Sequence, residues 1–453
     1  MKELLDAQRA YYQSGVTRKN AFRITALQKL QISIRRHESA LLCALEADLG
    51  KSAEEAYMME LSMVYDELKY ALRHLRRLSL PRFVWPSTGQ FPGHGRVLRD
   101  PYGMVLILSP WNYPVQLTLS PLIAAVAAGN CVIAHPSSRA PKTAAVLDTI
   151  LRQCFPAHHV CMALGDTDVA RTLTSLPFDK IFFTGSPAVG REVMAAASKN
   201  LVPVTLELGG KSPAIVAADA DLRLAARRIL WGKTVNAGQT CIAPDYVLVQ
   251  KSVENALLEA LREELHRQFG HDPLTSPDLP AIISDRHFKR LCGLMDKGRL
   301  ICGGQTDARL RKIAPTVLAG VSDTDPIMCE EIFGPILPVL PFLTMEEAIK
   351  RVRARPTPLA FYFFTSDKDS SRRVMRDMAF GGGCVNDCVL HAANHRMPFG
   401  GVGESGMGAY HGRAGFSCFS REKSVLFAST RIDIPVRYAP RKGSLSLLKR
   451  IMK

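Results

Sequence analysis

Residues 179–190, DKIFFTGSPAVG, decide how this chain folds. The apolar run 181–183 reads as a buried strand, and it stops at Thr184-Gly185-Ser186-Pro187, where a strand gives way to a helix. Glycine lets the backbone approach a pyrophosphate, and a helix N-terminus favours the anion, so Gly185, Ser186 and Gly190 are candidate cofactor-binding residues. The spacing differs from GxGxxG, so the motif counts only with its surroundings. Further apolar strands are expected at 102–108, 130–134 and 159–164, each followed by a helical stretch. Alternation at this spacing predicts an α/β fold with a parallel sheet of the dinucleotide-binding kind. Ligands on such sheets sit beyond the carboxyl ends of the strands, where PWNYP (110–114), HPSS (135–138) and TGSPAVG (184–190) all fall.

A second series follows. Strands are expected at 213–216, 246–249, 314–317, 337–340 and 359–365, with helices near 221–235, 252–267, 345–354 and 367–378. This predicts a second α/β domain. Residues 1–80 carry helical spacing, as in Leu27, Leu30 and Ile34. Residues 81–99, with Pro86, Pro92 and several glycines, break the pattern and are expected as a linker or extended arm. From Arg431 the tail is basic, with Arg437, Arg441, Lys442, Lys449, Arg450 and Lys453 among Leu445, Leu447, Leu448 and Ile451. It reads either as a solvated tail or as a short amphipathic helix at a membrane surface.

At 453 residues the chain exceeds a single-core domain, so two large domains are expected. The net charge of +16 favours anionic partners, but no basic-plus-aromatic nucleic-acid module accompanies it, and no nucleic acid is expected. Eleven cysteines, odd in number and scattered, suit free thiols in a reducing compartment. Cys384 and Cys388 lack a second pair at metal-ligand spacing, so no metal site is expected. The charged, helical start is no signal peptide, and the apolar stretch 115–134 is interrupted by Gln116, Pro121 and Asn130. A cytoplasmic protein follows from these readings.

Three segments carry chemistry. VNAGQTCIAP (235–244) places Cys241 behind a small, turn-prone stretch that a substrate can approach closely. A thiolate titrates not far above neutral pH and is a strong nucleophile. Glu207 ends a strand before a double glycine, and Asn112 offers a side-chain amide after an apolar strand. Nucleophile, base and oxyanion donor are the minimum set for acyl chemistry on a carbonyl.

The blocks PWNYP, FFTGSPAVG, LELGGKSP, NAGQTCIAPDY, EEIFGPILPV and MPFGGVGESGMGAYHG together resemble the aldehyde dehydrogenases, most closely their class 3 branch. The resemblance implies a Rossmann-type cofactor domain (1–80 and 100–210) and an α/β catalytic domain (211–388). It further implies bridging and oligomerisation segments (81–99 and 389–430), with a β-arm completing a partner's sheet in a homodimer, ahead of the basic tail (431–453). It implies oxidation of a medium- or long-chain aliphatic or an aromatic aldehyde to the acid with NAD or NADP. Cys241 would form a thiohemiacetal and then a thioester, Asn112 and the Cys241 N–H would hold the oxyanion, and Glu207 would activate the hydrolytic water. Trp111, Glu331 and Phe333 fall to the cofactor, and Tyr113 and His391 to the substrate side; Tyr57 and Tyr65 are further candidates for the aldehyde entrance. His391 and His395, four apart, are expected in structural hydrogen bonds. The chain departs from the family where a lysine and a glutamate contact the adenosine ribose: here stand His135 and Ser138, followed by Arg139. Without that carboxylate, NADP is expected to be accepted at least as well as NAD. A catalytically silent structural or membrane-associated protein on the same fold is the alternative reading.

Overall fold

The strand Met104–Ser109 is apolar at nearly every position and buried throughout, as the centre of a sheet covered on both faces requires. The computed structural model, which describes residues 1–441 and 443–451, puts it there. Cys131–Pro136 and then Val160–Met162 lie on one side of it; Lys180–Gly185 and then Val204–Leu208 lie on the other, all parallel. The strand order therefore reverses between Met104–Ser109 and Lys180–Gly185, which opens a crevice at their carboxyl ends. A sixth strand, Gly406–Met407, joins antiparallel at the edge with Gly406 opposite Glu207.

Gln116–Ala128 packs beneath this sheet with all its residues buried, and Gly129 ends it in the left-handed region. The apolar stretch that contains it is thus a core helix followed by a strand. The amino-terminal helices Asn20–Arg36 and Ser62–Leu78 close over the same face and share one core with it.

The second sheet has seven strands in the order Arg299–Cys302, Thr316–Ala319, Ile336–Phe342, Tyr246–Gln250, Pro213–Val216, Ala360–Phe364 and Gly382–Val385. Only the first pairing is antiparallel. Segment 81–99 is more structured than a linker. Arg82–Val84 and His94–Pro101 form a three-stranded antiparallel sheet with Ser420–Phe427, so the breakers mark a turn between strands whose third partner comes over 300 residues later.

In the tail, Leu445–Ile451 is a seven-residue helix with Leu445 and Leu447 exposed. Lys442 and Lys453 lie outside the described residues. Among the described residues no helix is long and apolar enough to cross a membrane.

Candidate active site

The helix Leu222–Thr234 delivers the chain to the thiol loop, where Asn236, Ala237 and Gly238 take φ of 52°, 51° and 73° in succession. A left-handed non-glycine residue costs on the order of 1–3 kcal/mol and persists only where its surroundings hold it. The Asn236 N–H donates to Glu55 Oε1 at 2.8 Å, and its side-chain amide donates to the carbonyls of Asn112 (2.9 Å) and Gln239 (3.1 Å). Gln239 in turn donates to Ala281 O at 3.0 Å and accepts from the Ile283 N–H at 2.9 Å. A Cβ on Gly238 would collide with the Gly334 carbonyl, so glycine is what lets the thiol loop close against the FGP turn.

Cys241 stands where two cavities meet. The first, an apolar funnel of about 950 Å³ of empty space, is walled by Met58, Met59, Met63, Leu117, Trp231 and Phe399, with Tyr113 and His411. The second is a polar cleft at the carboxyl ends of the first sheet, walled by Trp111, Asn112, Gly185, Ser186, Glu331 and Phe333. Cys241, Glu207 and Thr184 line both.

Asn112 donates one amide hydrogen to Gln239 O at 3.0 Å, which leaves the other free. Glu207 is buried, and among the described residues neither carboxylate oxygen has a hydrogen-bond partner. Burial holds its carboxyl well above the usual carboxylate range, which favours the neutral acid. Burial, with Glu331 and Glu207 adding to it, also pushes the Cys241 thiol up to about 12. The expectation of a thiol titrating not far above neutral is therefore not met in this state.

The cleft fits a dinucleotide on its own chemistry. The helix Pro187–Ser198 opens onto it with Ser186 as a capping side chain, and Ser137, Arg139, Arg286 and Arg290 line its outer part. Trp111 meets Phe333 edge-on with centroids 5.6 Å apart. The EEIFGP loop is pinned from beneath: Lys211 donates to Asp245, Ile327 O and Glu330 O, and Asp245 accepts from the Ile332 N–H at 2.8 Å. Burial raises the Glu331 carboxyl to about 8. Gly209 carries no Cβ because the Glu331 carboxylate occupies that space.

Several expected site residues sit elsewhere. His135 is buried with Nδ1 2.7 Å from the Ala163 carbonyl, a contact to the neighbouring strand's end; Ser138 is exposed, and Ser137 and Arg139 line the cleft in their stead. Gly190 faces Leu208, which makes it a helix-to-strand packing position. The His391 ring packs over Gly382 with Nδ1 3.6 Å from Cys384 Sγ, while its neighbours Leu390 and Ala392 line the funnel. Tyr57 and Tyr65 border a separate surface groove beside Arg35 and Glu38. His395 pairs across the fold with His411, not with His391: Glu67 Oε2 lies 3.5 Å from His395 Nε2 and 3.2 Å from His411 Nδ1. The other Glu67 oxygen accepts from the Gly412 N–H at 3.0 Å, so this buried node fastens the helix Ser62–Leu78 to the returning segment.

Sequence reasoning missed Thr184, Thr240 and the methionines of the funnel. Tyr113 OH and Thr240 Oγ1 are 2.6 Å apart, and no local motif announces that pairing.

A profile of the aldehyde dehydrogenase family matches residues 3–425. The chain belongs to this family. It is 43% identical to the 4,4'-diaponeurosporen-aldehyde dehydrogenase of Staphylococcus aureus (strain NCTC 8325 / PS 47), over 98% of this chain and 97% of that protein. It is 42% identical to aldehyde dehydrogenase family 3 member H1 of Arabidopsis thaliana, over 99% and 94%. Among solved structures, a substrate-bound Staphylococcus aureus AldH superposes with a TM-score of 0.98 at 42% identity, covering 100% of this chain and 99% of that one. Indole-3-acetaldehyde dehydrogenase AldA of P. syringae, in complex with NAD+ and IAA, gives 0.87 at 27%, covering 94% and 88%. The aldehyde dehydrogenase described here oxidises an aldehyde to the carboxylic acid with NAD or NADP. The catalytically silent alternative is not favoured.

Proposed function

We propose that this aldehyde dehydrogenase acts on long, apolar aldehydes through Cys241, Glu207 and Asn112. The observation that carries the reading is the meeting of the funnel and the cleft at Cys241. Cys241 gives its thiol proton to solvent water, the sulfur attacks the aldehyde carbon, and the C=O π pair moves to the oxygen, which becomes an oxyanion. The free amide N–H of Asn112 and the Cys241 backbone N–H receive that oxyanion. Trp111, Gly185, Ser186, Glu331 and Phe333 would hold NAD(P), which would supply a hydride acceptor beside the adduct on Cys241 and so leave a thioester. Glu207, once ionised, takes a proton from water, and the hydroxide releases the acid and regenerates the thiol.

The funnel's methionines, Trp231 and Phe399 favour a long hydrocarbon chain, and the diaponeurosporen-aldehyde relative bears a name of that kind. Cys241→Ala should abolish oxidation while leaving nucleotide binding intact. Glu207→Gln should give a burst of reduced nucleotide followed by slow turnover. A Glu207→Gln enzyme without the burst would sink the assignment of Glu207 to hydrolysis.

The exposed sheet containing 81–99 and Ser420–Phe427 supports a homodimer, which sedimentation tests. The basic helical tail supports a weak membrane-surface contact of a cytoplasmic protein. Equal pelleting of full-length and 1–430 chains with anionic vesicles would dispose of that contact.

A further inference from the structure

The segment from Lys51 to Leu61 belongs to neither large sheet, yet it sets three ionisable side chains beneath the catalytic loops. Lys51 and Glu60 are wholly buried and paired at 2.6 Å. Lys51 Nζ also donates to the Asn112 carbonyl at 2.8 Å and lies 4.1 Å from the centre of the Tyr113 ring. The second Glu60 oxygen accepts from the N–H groups of Val115 (2.8 Å) and Gln116 (3.3 Å), where the next helix begins. One ion pair therefore grips the backbone at the Asn112 carbonyl and again three and four residues further on. The Asn112 carbonyl that Lys51 holds is also the acceptor for Asn236 Nδ2, and Glu55 holds the Asn236 N–H. The oxyanion loop and the thiol loop thus hang from one short segment.

That segment is irregular in a telling way. Tyr57–Leu61 is a π-helical turn between the α-helices Ala53–Ala56 and Ser62–Leu78. In a regular α-helix, residues five apart point about 140° away from each other. The i→i+5 turn lets Glu55 and Glu60 serve the same side, and such turns are frequent at functional sites. Fold stability does not call for the arrangement, because a buried ion pair is commonly no more stabilising than apolar residues of the same volume. What the pair supplies is a fixed location for the Asn112 backbone.

We propose that Lys51 and Glu60 are positioning residues for aldehyde oxidation: they hold Asn112 so that its amide and the Cys241 N–H converge on one oxyanion. The proposal rests on the reading of Asn112 given above. The test is a mutant cycle between Asn112→Ala and the double variant Lys51→Met/Glu60→Gln. The double variant removes both charges together and keeps an oxygen to accept from Val115. Glu60→Gln alone, the milder change, goes through the same cycle should the double variant not fold.

Stopped flow follows the burst of reduced nucleotide at saturating aldehyde. We expect the burst to slow by about 10²-fold. Nucleotide affinity and alkylation of Cys241, followed by mass spectrometry of its peptide, should not change. In the Asn112→Ala background the same substitutions should cost nothing further, because the grip then holds no donor. An unchanged burst, or an equal loss in both backgrounds, overturns the proposal. An unimpaired Asn112→Ala enzyme removes the oxyanion reading itself and the proposal with it.

Discussion

On one side of Cys241 much of the cleft is walled by short loops beside the carboxyl ends of strands, with His287 and Arg290 from a helix and the EEIFGP loop opposite. Trp111 follows Met104–Ser109, Ser186 follows Lys180–Gly185, and Gly209 follows Val204–Leu208. On the other side the funnel draws on segments around Met58, Leu117, Trp231, Phe399 and Tyr410, on helices and returning chain far apart in sequence. The cleft needs backbone N–H groups and glycines, which only contiguous turns can supply. The funnel needs only apolar bulk in the right place, which any element can contribute. The walls of the cleft are therefore written largely in motifs, and those of the funnel in packing.

The comparison can be broken first at its seam. Gly238→Ala adds a Cβ against the Gly334 carbonyl at a φ of 73°. It should lower kcat/KM by about 10²-fold or more for every aldehyde and both nucleotides, since misplacing a reacting atom by 1 Å costs that much. A selective effect on one substrate would show that the thiol loop does not unite the two cavities. Met63→Ser should act on the funnel alone, lowering kcat/KM about tenfold for long-chain aldehydes and leaving short ones and nucleotide affinity unchanged. Arg139→Ala should act on the cleft alone. Its guanidinium lies 3.3 Å from His287 Nδ1 at the outer rim. Steady-state NADP kcat/KM should fall about three- to tenfold and the NAD value hardly at all, if a 2′-phosphate lies there.

The smallest effect concerns Glu55, which steadies the seam. Burial raises its carboxyl from an ordinary 4.5 to about 7, with Glu60 and Asp278 adding and Lys51 and the Asn236 N–H opposing. The folded chain thus binds this proton more tightly than the unfolded chain does. Its stabilising contribution is complete below pH 4.5 and lost as the pH rises through about 7. Thermal melts should show Tm declining over that window more steeply in the wild type than in Glu55→Gln. Parallel profiles would show that Glu55 titrates elsewhere.

This contrast also explains what could be read beforehand. The central strands of both sheets were legible because each is a continuous apolar run bounded by turns, as at 104–109 and 213–216. Arg299–Cys302 was not, since an edge strand with two exposed residues carries no such run. Nor was the pairing of His94–Pro101 with Ser420–Phe427, for which neither strand holds a local signal. At the site, Cys241, Glu207 and Asn112 were legible through their turns. His135 and Ser138 were assigned by position in a block, but His135 is buried at the end of the strand Cys131–Pro136, and in the turn that follows it is Ser137 and Arg139 that line the cleft. Lys51 and Glu60 could not be found, because their meaning lies in a carbonyl and two N–H groups that no side-chain pattern records.

The edge strand Gly406–Met407, laid beside Glu207, has a consequence for the chain as it is made. Translation reaches Cys241 long before it reaches Met407, and at about 5–20 residues per second the interval is roughly 10–30 s. During that time the thiol exists without the segment that closes its base into place. A chain cut short before this strand therefore carries Cys241 and lacks the edge strand that lies beside Glu207.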